Sequence, residues 1–276
     1  MKRFFISALL LLLCIVCLFP VYAVVVMAFS KTPGFSMSLW PGFDALTTRH
    51  VSEFIGAENP ASFRLFMRQL FNSVLTAGAA TVIGIIFATS AAYALSRFPF
   101  PGRGSFLKSL LLTQTFPATM MIVPLYLLAH RLGLLDSILG LSIVYATTSL
   151  PFCVWMLKGY FDAIPRELDE AALMDGASHA RVYYQVLLPL ARPAIAVTAL
   201  FSFLTAWNEF ILAATFLSRE ELFTLPVNLY RHVGAFGADW GAFAAGSLIV
   251  SLPVCVVFYL LQRHLVSGLS AGGVKS

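Results

Sequence analysis

The chain has 276 residues, 59% of them hydrophobic and 11% charged, with a formal net charge of +5. Soluble domains carry about 25% charged residues, so a water-soluble globule is excluded and most of the length belongs in the roughly 30 Å apolar slab of a bilayer. The excess of Lys and Arg is no nucleic-acid footprint, because these residues sit in short connectors between apolar runs and form no stripe.

A crossing helix needs about 20 apolar residues at a rise of about 1.5 Å each. Six runs qualify, near 5–29, 70–95, 108–130, 138–157, 191–216 and 242–262, and they predict an all-α polytopic membrane protein with six transmembrane helices in one domain, 1–276. The first run follows Lys2 and Arg3 and contains Val21-Tyr22-Ala23, the small-residue pattern of a cleavable signal peptide. Its apolar character continues through Val24, Val25, Val26 and Met27, past the roughly 7 to 15 residues of a cleavable core, so it reads as an uncleaved anchor. Unbroken apolarity without alternation also argues against a membrane barrel.

Basic residues at the span ends set the orientation. Lys2, Arg3, Arg97, Arg103, Lys108, Lys158, Arg166, Arg181, Arg192, Arg263 and Lys275 fall on one side; Lys31, Arg49, Arg64, Arg68, Arg131, Arg219 and Arg231 fall on the other. The richer side is cytoplasmic, which places both termini in the cytoplasm. Arg64 and Arg68, just before the second span, fit this least well and suggest an amphipathic helix at the interface.

The connector 158–190 concentrates charge on the cytoplasmic side. Pro165 suits a first helical position, Glu167 and Asp169 suit a helix N-terminus, and Ile164, Leu168, Ala171 and Ala172 recur at helical spacing. Gly176 offers a left-handed stop and Ser178 a cap for a second helix carrying Val182, Val186 and Leu187. The small residues Ala171, Ala172, Gly176 and Ala177, with Glu170 and Asp175 as charges, suit a partner's groove. The alternative is a helix lying on lipid headgroups, although such helices favour Lys and Arg on the polar face and this one is acidic.

The string Glu170-Ala171-Ala172-Leu173-Met174-Asp175-Gly176-Ala177, followed by Val186-Leu187-Leu188-Pro189-Leu190, resembles the EAA loop of ABC-importer permeases. Asn72-Ser73, Arg97-Phe98 with Pro101-Gly102, and Trp207-Asn208-Glu209-Phe210 are similar to segments of sugar-importer permeases, and the tail Gly268 to Lys275 resembles that of the maltose-transporter type. The resemblance implies a type I ABC-importer permease fold whose loop, through Glu170, Ala171, Ala172, Asp175, Gly176, Ala177, Leu188 and Pro189, couples to a cytoplasmic ATP-binding subunit present in two copies. It implies a second, MalF-like permease subunit and an extracytoplasmic sugar-binding protein, the latter facing the outer connector 217–240. The cargo it implies is maltose or a maltooligosaccharide; another oligosaccharide or a glycerol phosphate stays open.

Glu209, an acid in an apolar run, falls near the outer end of its span, which favours capping or a gate contact over proton transfer. Gln114, with Pro117 and Pro124 behind it, either bends the third span around a substrate path or marks a packed kink; Gln114, Asn208 and Glu209 are the candidate path or gate residues. Gly78, Gly84 and Ala88 suit close helix packing. The chain has no GxxxxGK[ST] phosphate loop, so ATP and Mg belong to the partner ATPase and no enzymatic site is expected here. Cys14 and Cys17 form a CxxC without its redox or zinc context, and His50, His130, His179, His232 and His264 lack ligand spacing, so no metal site is expected. An ion-coupled secondary transporter working through Glu209 is the rival class, disfavoured by the absence of an evident inverted repeat.

Overall fold

The computed structural model describes residues 2–31, 42–234 and 237–272. In chain order the helices are α1 (Lys2–Phe29), α2 (Arg49–Ile55), α3 (Pro60–Arg97), α4 (Arg103–Thr113), α5 (Ala118–Arg131), α6 (Ile138–Ala163) and α7 (Glu167–Met174). They continue with α8 (His179–Arg181), a π-helical turn at Val182–Leu187, α9 (Leu188–Leu190), α10 (Arg192–Asn208), α11 (Ile211–Phe216), α12 (Leu225–Arg231) and α13 (Trp240–Gly272). Two short strands, β1 (Val233–Gly234) and β2 (Gly237–Ala238), pair antiparallel. Among the described residues the fold is all-α apart from this ribbon and an isolated bridge between Ser30 and Leu46. The tail sequence from Gly268 onward falls on the end of α13 and past it; residues 273–276 and the side chains of 263–276 lie outside the described residues.

Among the described residues four helices, α1, α3, α6 and α13, are long and apolar enough to cross a membrane, and a fifth crossing is reached if the bent pair His179–Leu190 and Arg192–Asn208 counts as one. The expected span 108–130 is split between α4 and α5. Pro117, extended at φ −57° and ψ 132°, cannot continue the helix, and each piece is too short to cross alone. The run 191–216 is likewise divided, at Glu209 and Phe210, between α10 and α11. Arg64 and Arg68 lie on no separate interfacial helix: α3 runs unbroken for 38 residues, and Arg64 Nε donates to Pro60 O within its first turn.

The chain forms two compact units, Met1–Leu70 with Thr224–Leu252, and Phe71–Phe223 with Pro253–Ser276. In the first, α1 is apolar all round with its side chains outward, Phe4 being 81% exposed, which is the surface a lipid-facing helix presents. Its last turn packs Ala28 against Ala244 and Ala245. Gly246 is required there, since a Cβ would stand 2.4 Å from the Phe54 ring.

The core of the second unit joins Ala88, Ala92 and Leu95 of α3 to Cys153, Val154, Leu157 and Phe161 of α6, with Ile164, Leu187 and Ala191 of the following segment. Small residues set these approaches. A Cβ at Gly84 would stand 3.6 and 3.7 Å from the hydroxyls of Ser202 and Ser149, in ordinary contact, and Ala88 is fully buried, whereas Gly78 faces open space. Asn72, near the start of this unit's part of α3, donates from Nδ2 to Glu221 O and Phe223 O. Asp136, held at a positive φ of 50°, accepts from Ser218 N at 2.6 Å. Both side chains fix the connector that follows α11.

Candidate functional site

The stretch 158–190 forms its own substructure within the second unit. Pro165 disfavours helix at Ile164, which turns extended and ends α6, and α7 starts two residues beyond the proline. Glu167, Asp169 and Glu170 occupy its first turn, where the partial positive charge of the unpaired N–H groups favours carboxylates. Gly176 stops it at φ +84°, and Ser178 accepts from Arg181 N at 3.3 Å to cap the next helix, so both expected punctuation residues act as expected. At Ala191 the chain then bends by 78° into α10.

One face of this loop is fastened to the body of the unit. Arg97, the last residue of α3, places Nε 2.5 Å from Asp169 Oδ2, with side-chain exposures of 7% and 11%. Its other nitrogens donate to Phe161 O at 3.0 Å, which also accepts from Ile164 N, and to Ile164 O at 3.1 Å, both at the C-terminal end of α6. Arg166 donates to Ser96 O, while Ser96 Oγ donates to Asp162, which also pairs with Lys158. The second helix is held by tyrosines: Tyr183 Oη donates to Thr89 Oγ1 at 2.9 Å, and Tyr93 Oη to His179 O at 3.2 Å.

The opposite face is bare. Glu170, Ala171, Asp175 and Gly176 are exposed, while Ala172, Ala177, Leu188 and Pro189 are partly buried. Leu168, Leu173 and Met174 are 44%, 37% and 88% exposed, although they sit on the most charged segment of the chain. The sequence reading missed the Arg97–Asp169 anchor and the outward Met174. Arg97 belongs to the Arg97-Phe98 pair at the end of α3, but nothing in sequence points from it to an acid in another helix.

Gln114, Asn208 and Glu209 do not form one cluster. Gln114 lines a cavity of about 310 Å³ with side chains of α6 and α10, and its amide nitrogen donates to Thr148 O at 3.1 Å. Asn208 Nδ2 donates to Leu204 O in its own helix. Glu209 caps α11: its carboxylate accepts from Leu212 N at 3.0 Å and Ala213 N at 3.3 Å, and from Tyr145 Oη at 2.8 Å.

In the first unit His50 meets Glu53 and Asp239, their donor atoms within 4.8 Å of one another, a proximity that the histidine spacing did not reveal. These carboxylates already have partners. Arg49 Nε lies 2.6 Å from Glu53 Oε1, which holds the Arg49 guanidinium above its ordinary pKa through that hydrogen bond and the adjacent charge; Asp239 Oδ1 caps α13 by accepting from Ala242 N.

The family model for the binding-protein-dependent transport system inner membrane component matches residues 80–271, which include the whole 158–190 loop. The chain is 38% identical over 237 residues to the galactooligosaccharides transport system permease protein GanQ of Bacillus subtilis, covering 85% of this chain and 81% of that protein. It is 36% identical over 285 aligned residues to the maltose/maltodextrin transport system permease protein MalG of Escherichia coli, covering 99% and 96%. Its fold matches a chain of a bacterial ABC transporter involved in the import of the acidic polysaccharide alginate, with a TM-score of 0.76, 24% identity and 95% of each chain covered. The chain therefore belongs to the inner-membrane components of binding-protein-dependent transport systems, and is an ABC-importer permease rather than an enzyme.

Proposed function

We propose that this permease imports a sugar, maltose or a maltooligosaccharide, and that its 158–190 loop is the coupling helix that docks on the ATPase. The observation that carries this reading is the two-sided loop: buried anchors on one face, and Leu168, Leu173 and Met174 exposed on the other beside Glu170 and Asp175. A large apolar side chain stabilises an interface by about 1.5–3 kcal/mol when fully buried, and acidic neighbours give an Arg- or Lys-bearing groove its orientation. The relatives named for galactooligosaccharides and for maltose/maltodextrin support a sugar as cargo.

The complex has two ATPase subunits, which bind ATP and Mg, a second MalF-like permease and an extracytoplasmic sugar-binding protein. It lies in the cytoplasmic (inner) membrane of a bacterium or archaeon, with six crossings in this chain and both termini cytoplasmic. α4 with α5, and α10 with α11, supply the two broken crossings. Closure of the ATPase dimer on ATP moves α7, and Arg97 passes that motion to the ends of α3 and α6 as one rigid body. The connector after α11, tied by Asn72 and Asp136, faces the binding protein. Glu209 serves as a cap, which removes the group that an ion-coupled mechanism would have used.

The test is co-purification of the ATPase with the chain carrying Glu170→Lys or Gly176→Pro. Loss of association with membrane insertion intact is expected; unchanged association and transport in both variants would sink the docking role.

A further inference from the structure

The cavity that holds Gln114 is walled by α4, α6 and α10, all in the second unit, and its chemistry is uneven. Three aromatic rings form one side. Phe152 lies 4.2 Å from Phe201 and 6.1 Å from Trp155 between ring centroids, and Trp155 and Phe201 remain 48% and 40% exposed. Aromatic faces carry partial negative charge and attract the weakly positive C–H groups of an apolar ring face.

The two threonine hydroxyls on the cavity wall share one property. Thr148 Oγ1 donates its proton to Tyr145 O at 2.9 Å, and Thr205 Oγ1 donates to Phe201 O at 2.9 Å. Gln114 gives one of its two amide N–H groups to Thr148 O, which leaves the side chain one donor and its Oε1 acceptor. With their protons used within the helices the two threonine hydroxyls offer lone pairs, while Gln114 offers both a donor and an acceptor, a mixed set that suits neutral hydroxyls. A ligand rich in hydroxyls satisfies it. A carboxylate or phosphate brings further acceptors, and no Lys, Arg or His lines the cavity to compensate a buried anion.

We propose that this cavity is a pyranose subsite on the translocation path and that it selects neutral sugar rings over sugar acids and sugar phosphates. The inference rests on the sugar-importer reading and gives this chain its own contact with the cargo. A volume of about 310 Å³ is at the lower end of ligand-pocket sizes, suited to one ring of an oligosaccharide at a time.

The experiment is uptake by proteoliposomes containing the complete complex, with maltotriose as neutral probe and trigalacturonate as acidic probe. Trp155→Ala is expected to cut maltotriose uptake at least 10-fold, Trp155→Phe to keep at least a third of it, and Thr205→Val, close in shape, to lower it 3- to 10-fold. Wild-type uptake of trigalacturonate is expected below a tenth of that of maltotriose. ATP-dependent uptake insensitive to both Trp155→Ala and Thr205→Val, or trigalacturonate carried as fast as maltotriose, overturns the subsite while leaving the importer reading in place. Uptake that persists without ATP removes the importer reading and the subsite with it.

Discussion

Arg97 and Asp169 meet through 2.5 Å across 72 positions of sequence, and the pair is nearly closed to solvent. Removing one partner of a buried ion pair leaves an uncompensated charge and costs about 3–5 kcal/mol. Arg97→Ala should therefore detach α7 from α3, seen as faster hydrogen exchange across 161–175 and as ATP hydrolysis no longer matched by uptake. Asp169→Asn should be milder, because Arg97 keeps the Phe161 and Ile164 carbonyls. Equal exchange in wild type and Arg97→Ala would show that the pair anchors nothing.

Gly176 adopts φ +84° with no atom near the position of a Cβ, so a substitution there is strained by its backbone alone. Gly176→Ala should cost about 1–2 kcal/mol, the ordinary penalty for a side chain in the left-handed region. Weaker ATPase association than wild type, with α3 and α6 still protected from exchange, is the expected result.

Glu209 accepts two backbone N–H groups at the start of α11, and Glu209→Gln should lower stability by about 1 kcal/mol through a weakened cap. Uptake should change by less than a few fold, with an unaltered pH profile. A shifted profile would assign Glu209 a proton-transfer role.

His232 sits beside the Phe54 ring, outside the apolar spans, and burial holds its pKa below the ordinary value near 6.5 despite the opposing charges of Asp239 and Glu53; Arg231 adds to the lowering. Folding then keeps the imidazole neutral, so its stabilising effect is fully present above the unfolded value and is lost as pH falls from there toward the folded one. The melting temperature should drop between pH 7.5 and 5.5, and His232→Phe should flatten that drop. An equal drop in both would place the pH sensitivity elsewhere.

The sequence exposes those parts of the fold that depend on local chemistry. The apolar runs locate α1, α3, α6 and α13, and Gly176 and Ser178 mark their turn and cap because left-handed backbone and N-capping are one-residue events. The third run looked continuous since Pro117 and Pro124 are tolerated inside spans, and only the extended backbone at Pro117 shows that one of them breaks the helix while the other does not. Gln114 was legible as a polar residue among apolar ones, but its neighbours Trp155 and Thr205 come from helices 40 and more positions away. Asp169 looked like one more first-turn acid. Its ion pair depends on where α3 ends, which helical spacing along α7 does not encode.

The central claim is that α7 touches the ATPase, and Met174, 88% exposed at the end of that helix, gives the most direct access to it. With the exposed Cys14, Cys17 and Cys255 replaced by serine, Met174→Cys should cross-link to the ATPase subunit through a short thiol-reactive reagent in assembled membranes, while a cysteine at exposed Leu139 should not. The opposite pattern, or no adduct at 174 in an actively transporting complex, would contradict the account.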